Sequence, residues 1–300
     1  MSIFITENTR VLVQGITGKE GSFWTKHMIE LGTQVVAGVT PGKEGQVVEE
    51  LPVYHTVRRA VAENDVDAAM LFVPPRFTKD AVFEALDSGI KKIVTIADGI
   101  PLHEMLQIRD AAKSCDAMVI GGNTSGCISP GVAMMGMFPY WIERVYKKGR
   151  IGIMTRSGSL TNEVTAMVVR AGFGVSSLIG IGGDPVPGTR FAEMLPLYEA
   201  DDETDALVII GELGGTMEEE VADAMQTGIF TKPVAAFLGG RTAPKGKRMG
   251  HAGAIVTGGR GTVEGKIAAL EAAGAVVAER PSMVGDLLKE KLETISKIKN

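Results

Sequence analysis

Short apolar runs separated by helical patterns recur through almost the whole chain, and this alternation constrains the fold more than any other feature. Residues 10–14, 34–39, 68–73, 92–96 and 117–120 read as short buried strands. Amphipathic stretches fall between them, with 22–31 the first and 79–88 a later one. Strands alternating with helices predict a mostly parallel sheet with helices on both faces. The same grammar restarts after a basic linker at 146–150, with runs at 151–155, 177–181, 206–210, 234–238 and 275–278. A length of 300 residues accommodates about two such domains. The boundary is expected within 125–150, and we divide the chain into 1–125 and 126–300. The halves share an architecture but no sequence repeat. A hydrophobic fraction of 45% and 38 glycines suit an α/β protein with many tight strand-to-helix turns.

Other classes are disfavoured. A net charge of −5 and a 5% aromatic content argue against a nucleic-acid binder. No run approaches the ~20 apolar residues of a membrane span, and the first residues read as neither a signal nor a transit segment. Cys115 and Cys127 do not have metal or redox spacing. A reducing, cytoplasmic setting is therefore expected.

Four patterns carry chemistry. Gly15, Gly18 and Gly21 form a Gly-x-x-Gly-x-x-Gly turn between the first strand and the first helix. Such a turn lets the backbone approach a phosphate at a helix N-terminus, or it simply turns the chain. Its spacing differs from the dinucleotide fingerprint. Ser157-Gly158-Ser159 opens a helix after a strand, as an ordinary cap or as an anion seat. Glu212 ends a buried run before two glycines, where it could orient a partner or lead a helix. His251, one of four histidines, sits among small residues after the basic Lys245, Lys247 and Arg248. It reads as a neutral-pH nucleophile or as a surface residue of a glycine-rich loop.

Together these blocks, in order and spacing, resemble the succinyl-CoA synthetase (succinate–CoA ligase) α-subunit family over nearly the whole chain. The segment 239–271 resembles that family's phosphohistidine region. The resemblance implies an N-terminal Rossmann-like CoA-binding domain followed by a flavodoxin-like α/β ligase domain. It assigns coenzyme A to Gly15, Thr17, Gly18, Lys19 and Gly21 with Val39, Pro41, Lys43, Val73, Pro74, Ile96 and Asp98. The last stands where the family usually has Glu. Lys43 would meet a CoA phosphate; a lone lysine is otherwise a solvated surface residue. His251 becomes the phosphorylated residue and Glu212 its orienting carboxylate, while Ser157, Gly158 and Ser159 cradle the phosphate. The implied reaction shuttles a phosphoryl group between His251 and a nucleotide. An acyl phosphate of the acid is then attacked by the CoA thiol. ATP or GTP and Mg²⁺ are expected mainly on an ATP-grasp β subunit, since no P-loop motif or evident metal cluster occurs in this chain.

The chain departs from the family pattern at Gly121-Gly122-Asn123-Thr124-Ser125-Gly126, where two prolines are lost. We place Asn123 and Thr124 with the substrate-binding residues on that ground. The stretch 137–144 is bulkier than usual, and Asn162-Glu163 is reminiscent of ATP-citrate lyase and citryl-CoA synthetase. The expected acid is a small polycarboxylate, succinate first, with malate or citrate as alternatives. A CoA-binding sensor without ligase activity is the competing class, but it has no need of His251, Glu212 and the Ser157–Ser159 turn together. An NAD(P)-dependent oxidoreductase fits the glycine spacing poorly.

Overall fold

The computed structural model describes residues 3–242, 251–256 and 261–299. They form two compact units, Phe4–Phe138 with Val186–Thr189, and Pro139–Pro185 with the chain from Arg190 onward.

The first unit contains β1 (Arg10–Gln14), α1 (Lys19–Leu31), β2 (Gln34–Val39), β3 (Val47–Val48), β4 (Leu51–Tyr54), α2 (Val57–Glu63) and β5 (Ala68–Leu71). It continues through α3 (Pro75–Asp87), β6 (Lys92–Thr95), α4 (Leu102–Ser114) and β7 (Met118–Ile120) to a hairpin of β8 (Gly126–Ser129) and β9 (Ala133–Gly136). The sheet order is β3-β4-β2-β1-β5-β6-β7. Every pair from β4 to β7 is parallel, and only the edge strand β3 is antiparallel. From β4 onward this is the Rossmann-like order, which reverses between β1 and β5. Val11, Leu12, Val13, Met70, Leu71, Ile93 and Val94 are fully buried. The strands are continuous apolar runs because helices cover both faces. Gln14 ends β1 buried, and its Nε2 donates to Ala81 O at 3.0 Å, so the polar group is satisfied.

The second unit contains β10 (Lys148–Thr155), α5 (Gly158–Arg170), β11 (Val175–Gly180), α6 (Phe191–Ala200), β12 (Ala206–Glu212) and α7 (Met217–Gln226). It ends with β13 (Val234–Gly239), α8 (Val263–Ala272), β14 (Val276–Ala278), a 3₁₀ turn at Pro281–Met283 and α9 (Val284–Lys299). Its strand order is β14-β13-β12-β10-β11, with parallel neighbours. Numbered within the unit this is the flavodoxin-like order, reversing between β10 and β12. All seven residues of β12 are buried, which carries Glu212 inward at the strand's end.

The hairpin β8–β9 falls within the compact unit Phe4–Phe138. Its anchor is Thr33, whose Oγ1 donates to Met134 O and accepts from Met134 N, both at 2.9 Å. The expected linker at 146–150 is partly strand, since β10 begins at Lys148. Among the described residues no helix is long and apolar enough to cross a membrane.

Candidate active site

Each unit places a cavity at the carboxyl ends of its strands, beside the point where the strand order reverses. Ligands bind there in open α/β sheets because diverging loops leave a crevice.

In the first unit a cavity of about 600 Å³ is lined by Gly15, Thr17, Gly18, Val39, Pro41, Val73 and Pro74 among others. The glycine turn explains its floor. Gly15 has φ +81°, and a Cβ there would lie 2.3 Å from Phe72 O. A Cβ on Gly21 would lie 2.2 Å from Gly15 O, so α1 packs directly on the turn. Gly18 is different: its Cβ would meet nothing nearer than 3.3 Å. It is the N-cap of α1 and no side chain caps that helix, so first-turn N–H groups stay available to an anion. Thr17 and Thr40 close the rim through a 3.1 Å hydroxyl contact. Lys19, Gly21, Lys43, Ile96 and Asp98 do not line this cavity. Lys19, Lys43 and Asp98 are exposed.

Sequence reasoning missed the α3 wall, which contributes Phe77, Asp80, Ala81 and Glu84. Phe77 is 49% exposed in the first turn of α3, with Arg76 4.7 Å above its ring. The signal was an aromatic two residues after Pro75, which starts the helix. Asn123 and Thr124 also belong to the first unit. The Asn123 N–H donates to Ala97 O at 2.8 Å. Thr124 is buried, and its Oγ1 accepts from Gly126 N at 3.1 Å.

In the second unit a cavity of about 380 Å³ gathers Ser157, Ser159, Glu212 and His251. His251 Nδ1 is 2.7 Å from Glu212 Oε2. Arg156 Nη2 is 3.1 Å from the other carboxylate oxygen. A carboxylate paired with a guanidinium acts as acceptor. That puts a hydrogen on Nδ1 and leaves Nε2 with a free lone pair in the neutral ring. The hydrogen bond to Glu212 raises the pKa of His251 above its ordinary value, against the opposing effect of burial. The ring lies over Gly183, where a Cβ would fall 2.3 Å from Cγ and 2.4 Å from Nδ1. Gly253 N donates to Gly183 O at 3.0 Å and ties the following residues to the same place.

Ser157 is the N-cap of α5, with its Oγ 3.5 Å from Leu160 N, and Gly158 is the first helical residue. Gly158 and Ser159 are exposed and no acidic side chain occupies the first turn. Ser157 caps only Leu160 N, so the earlier first-turn N–H groups offer an anion seat beside a histidine. The basic run Lys245, Lys247 and Arg248 lies outside the described residues. No group of three or more His, Cys, Asp or Glu able to hold a metal ion occurs among the described residues.

Residues 6–99 match the family model described as CoA binding domain, and residues 154–276 match that described as CoA-ligase. The chain is 73% identical over 292 residues to the ADP-forming sulfoacetate-CoA ligase subunit SauD of Bilophila wadsworthia, covering 97% of this chain and 100% of that one. It is 48% identical over 279 residues to the succinate–CoA ligase [ADP-forming] subunit alpha 1 of Archaeoglobus fulgidus, covering 93% and 94%. Among solved structures, the ATP citrate lyase from Methanothrix soehngenii in complex with citrate and coenzyme A shares the fold with a TM-score of 0.89 at 24% identity. That match covers 98% of this chain and 52% of the other, so the chain spans about half of that polypeptide.

Proposed function

The chain belongs to the family of ADP-forming acid–CoA ligase α subunits, and from that premise we propose that His251 is its phosphoryl carrier and sulfoacetate its acid. The observation that carries the first part is the His251–Glu212 pair beside the N-terminus of α5, at the strand-order reversal of the second unit.

Glu212 holds the Nδ1 hydrogen, so Nε2 attacks the terminal phosphorus of a nucleoside triphosphate and the diphosphate leaves. The first-turn N–H groups of α5, with Ser157 and Ser159, receive the charge of the resulting phosphoryl group. A carboxylate oxygen of the acid then takes that group from Nε2, which returns the ring to its starting state. Coenzyme A, when bound, supplies the thiol that attacks the acyl carbon and expels inorganic phosphate. Gly15, Thr17, Gly18, Val39, Pro41, Val73 and Pro74 would hold it, since their cavity combines an apolar wall with free N–H groups. Lys19 and Lys43 would meet its phosphates from the exposed rim, while Gly21 supports the turn and Ile96 and Asp98 sit at the β6 strand end. The nucleotide and its Mg²⁺ are assigned to an ATP-grasp partner subunit. The relatives' designation as subunits supports a two-subunit enzyme.

For the acid, identity of 73% to a sulfoacetate-CoA ligase subunit against 48% to a succinate–CoA ligase subunit favours the sulfonate over succinate, the first expectation. Sulfoacetate is, like succinate, a small dianion, with a sulfonate in place of the second carboxylate. Asn123 and Thr124 are proposed to contribute to its binding. The test is a thiokinase assay of the chain co-purified with its partner subunit, given CoA, ATP or GTP, Mg²⁺ and sulfoacetate, succinate, malate or citrate. Sulfoacetyl-CoA with acid-labile phosphate on His251 is the expected result. Turnover of succinate alone would overturn the choice of acid. Tight CoA binding with no thioester from any acid would favour the sensor.

A further inference from the structure

Behind Glu212 lies a buried ionic cluster that the reaction as drawn does not use. Arg156 is 2% exposed, and Glu218 and Lys266 are fully buried. Groups of this kind are rarely buried unless they are paired. The cluster is stitched to the histidine at two points.

The first point is electrostatic. Glu212 shares one carboxylate between His251 on Oε2 and Arg156 on Oε1. Arg156 Nη1 lies 3.7 Å from Glu218 Oε1, and that same oxygen accepts from the backbone N–H of Glu212 at 3.1 Å. Glu218 Oε2 in turn pairs with Lys266 Nζ. The second point is mechanical. Arg156 Nη1 and Lys266 Nζ both donate to Gly214 O, at 2.9 Å and 2.7 Å. A Cβ on Gly214 would strike Gly253 O and Ile255 N, so this loop is the seat of the segment that follows His251. A Cβ on Gly253 would come within 2.8 Å of Arg156 Nη2. The guanidinium therefore lies directly under that segment.

We propose that Arg156, Glu218 and Lys266 are positioning residues that fix Glu212 and the Gly214 seat, and thereby set the orientation and protonation of His251. Arg156 and Lys266 face Glu212 and Glu218, with Glu219 Oε2 3.8 Å from Lys266 Nζ at the edge of the cluster, and Glu212 offers the imidazole only the share of charge that Arg156 leaves. The charged groups acting on the ring are Glu212 at the end of β12, Arg156 after β10 and Asp184 after β11. Removing the guanidinium gives the ring the whole carboxylate. Removing Lys266 leaves Glu218 a buried, uncompensated charge that pulls Arg156 away from Glu212.

The inference rests on His251 being the phosphorylated residue, and its test separates the two. Arg156→Gln, Lys266→Met and the double variant Glu218→Gln/Lys266→Met are prepared as complexes with the partner subunit. The titration midpoint of His251 is read by NMR on labelled histidine, alongside the rate of phosphohistidine formation, CoA affinity and the thermal midpoint. Arg156→Gln is expected to raise the midpoint by about one pH unit and to slow phosphorylation by roughly 10–100-fold, with CoA affinity unchanged. Lys266→Met is expected to slow it similarly, and the double variant to recover most of the loss because no Glu218 charge is then left to draw Arg156 away from Glu212. A wild-type midpoint and rate in Arg156→Gln would overturn the relay. So would equal losses in Lys266→Met and the double variant that follow only their thermal midpoints. A wild-type complex that never carries phosphate on His251 would overturn both the relay and the proposed function.

Discussion

His251 has two demands placed on it, and they run in opposite directions with pH. Its pKa in the folded chain is raised, chiefly by the hydrogen bond to Glu212. The pair therefore contributes stability that is fully present below the unfolded histidine value of about 6.5 and fades as pH rises through the raised value. Attack on phosphorus needs the neutral ring, so phosphohistidine formation should climb over that same rise. In Glu212→Gln the inflection should move to lower pH while the plateau rate falls, as a pH–rate profile of single-turnover phosphorylation would show. An inflection that stays in place would remove Glu212 from this role. Gly183→Ala puts a methyl group into the ring, displacing it by about 1 Å and costing on the order of 100-fold in rate. CoA affinity should not change, since Gly183 belongs to the second unit. The pairing of His251 with Glu212 was expected from the family resemblance, since residue type alone left Glu212 equally a helix-leading acid. The underlying Gly183 and Arg156 were not, because contacts made through the absence of a side chain, or through a cation 95 residues away from the histidine, leave no local pattern.

Among the elements, strands were read better than helix starts. β1 and β2 lie where the apolar runs predict them, since a strand buried on both faces is a continuous apolar run. The first turns of α1 and α3 were missed because they begin in Lys-Glu-Gly and Pro-Arg-Phe, which carry no helical periodicity. The missed turn of α3 supplies Phe77 to the cavity of the first unit. The β8–β9 hairpin was missed for another reason: Gly126-Cys-Ile-Ser and Ala133-Met-Met-Gly are four residues each and end in Gly or Ser, too short to stand out as apolar runs. The three glycines of the first turn, equivalent in the motif, should separate on substitution. Gly21→Ala forces α1 off the turn and should cost roughly 1–3 kcal/mol by overpacking, with loss of CoA binding. Gly18→Ala meets only Gly15 O, at 3.3 Å, and should cost less, about 1 kcal/mol as an N-cap change. Thermal unfolding and CoA titration of both variants check this, and equal losses would contradict the packing account.

At the scale of the whole molecule, alternation foretold two mostly parallel α/β sheets, while the two particular folds were expected from the family resemblance. The proposed acid was not foretold, because ligase subunits named for different acids share the blocks that carry the resemblance. Neither was the path of the chain between units. After β11 it leaves the second unit, contributes Val186–Thr189 to the first, and returns. Within the first unit Gly188 N donates to Gly121 O, and Thr189 Oγ1 donates to Val119 O at 2.8 Å. Arg109 Nη1 reaches Pro187 O at 3.2 Å. A fragment ending at residue 138 should therefore express as a destabilised, aggregation-prone species, with the carbonyls of Val119 and Gly121 left bare. Supplying a peptide spanning 183–192 in trans should raise its melting temperature; no rise would show the insertion to be dispensable. The two halves are interlaced by their own covalent thread, so genetic splitting or shuffling at a single junction cannot exchange one half intact.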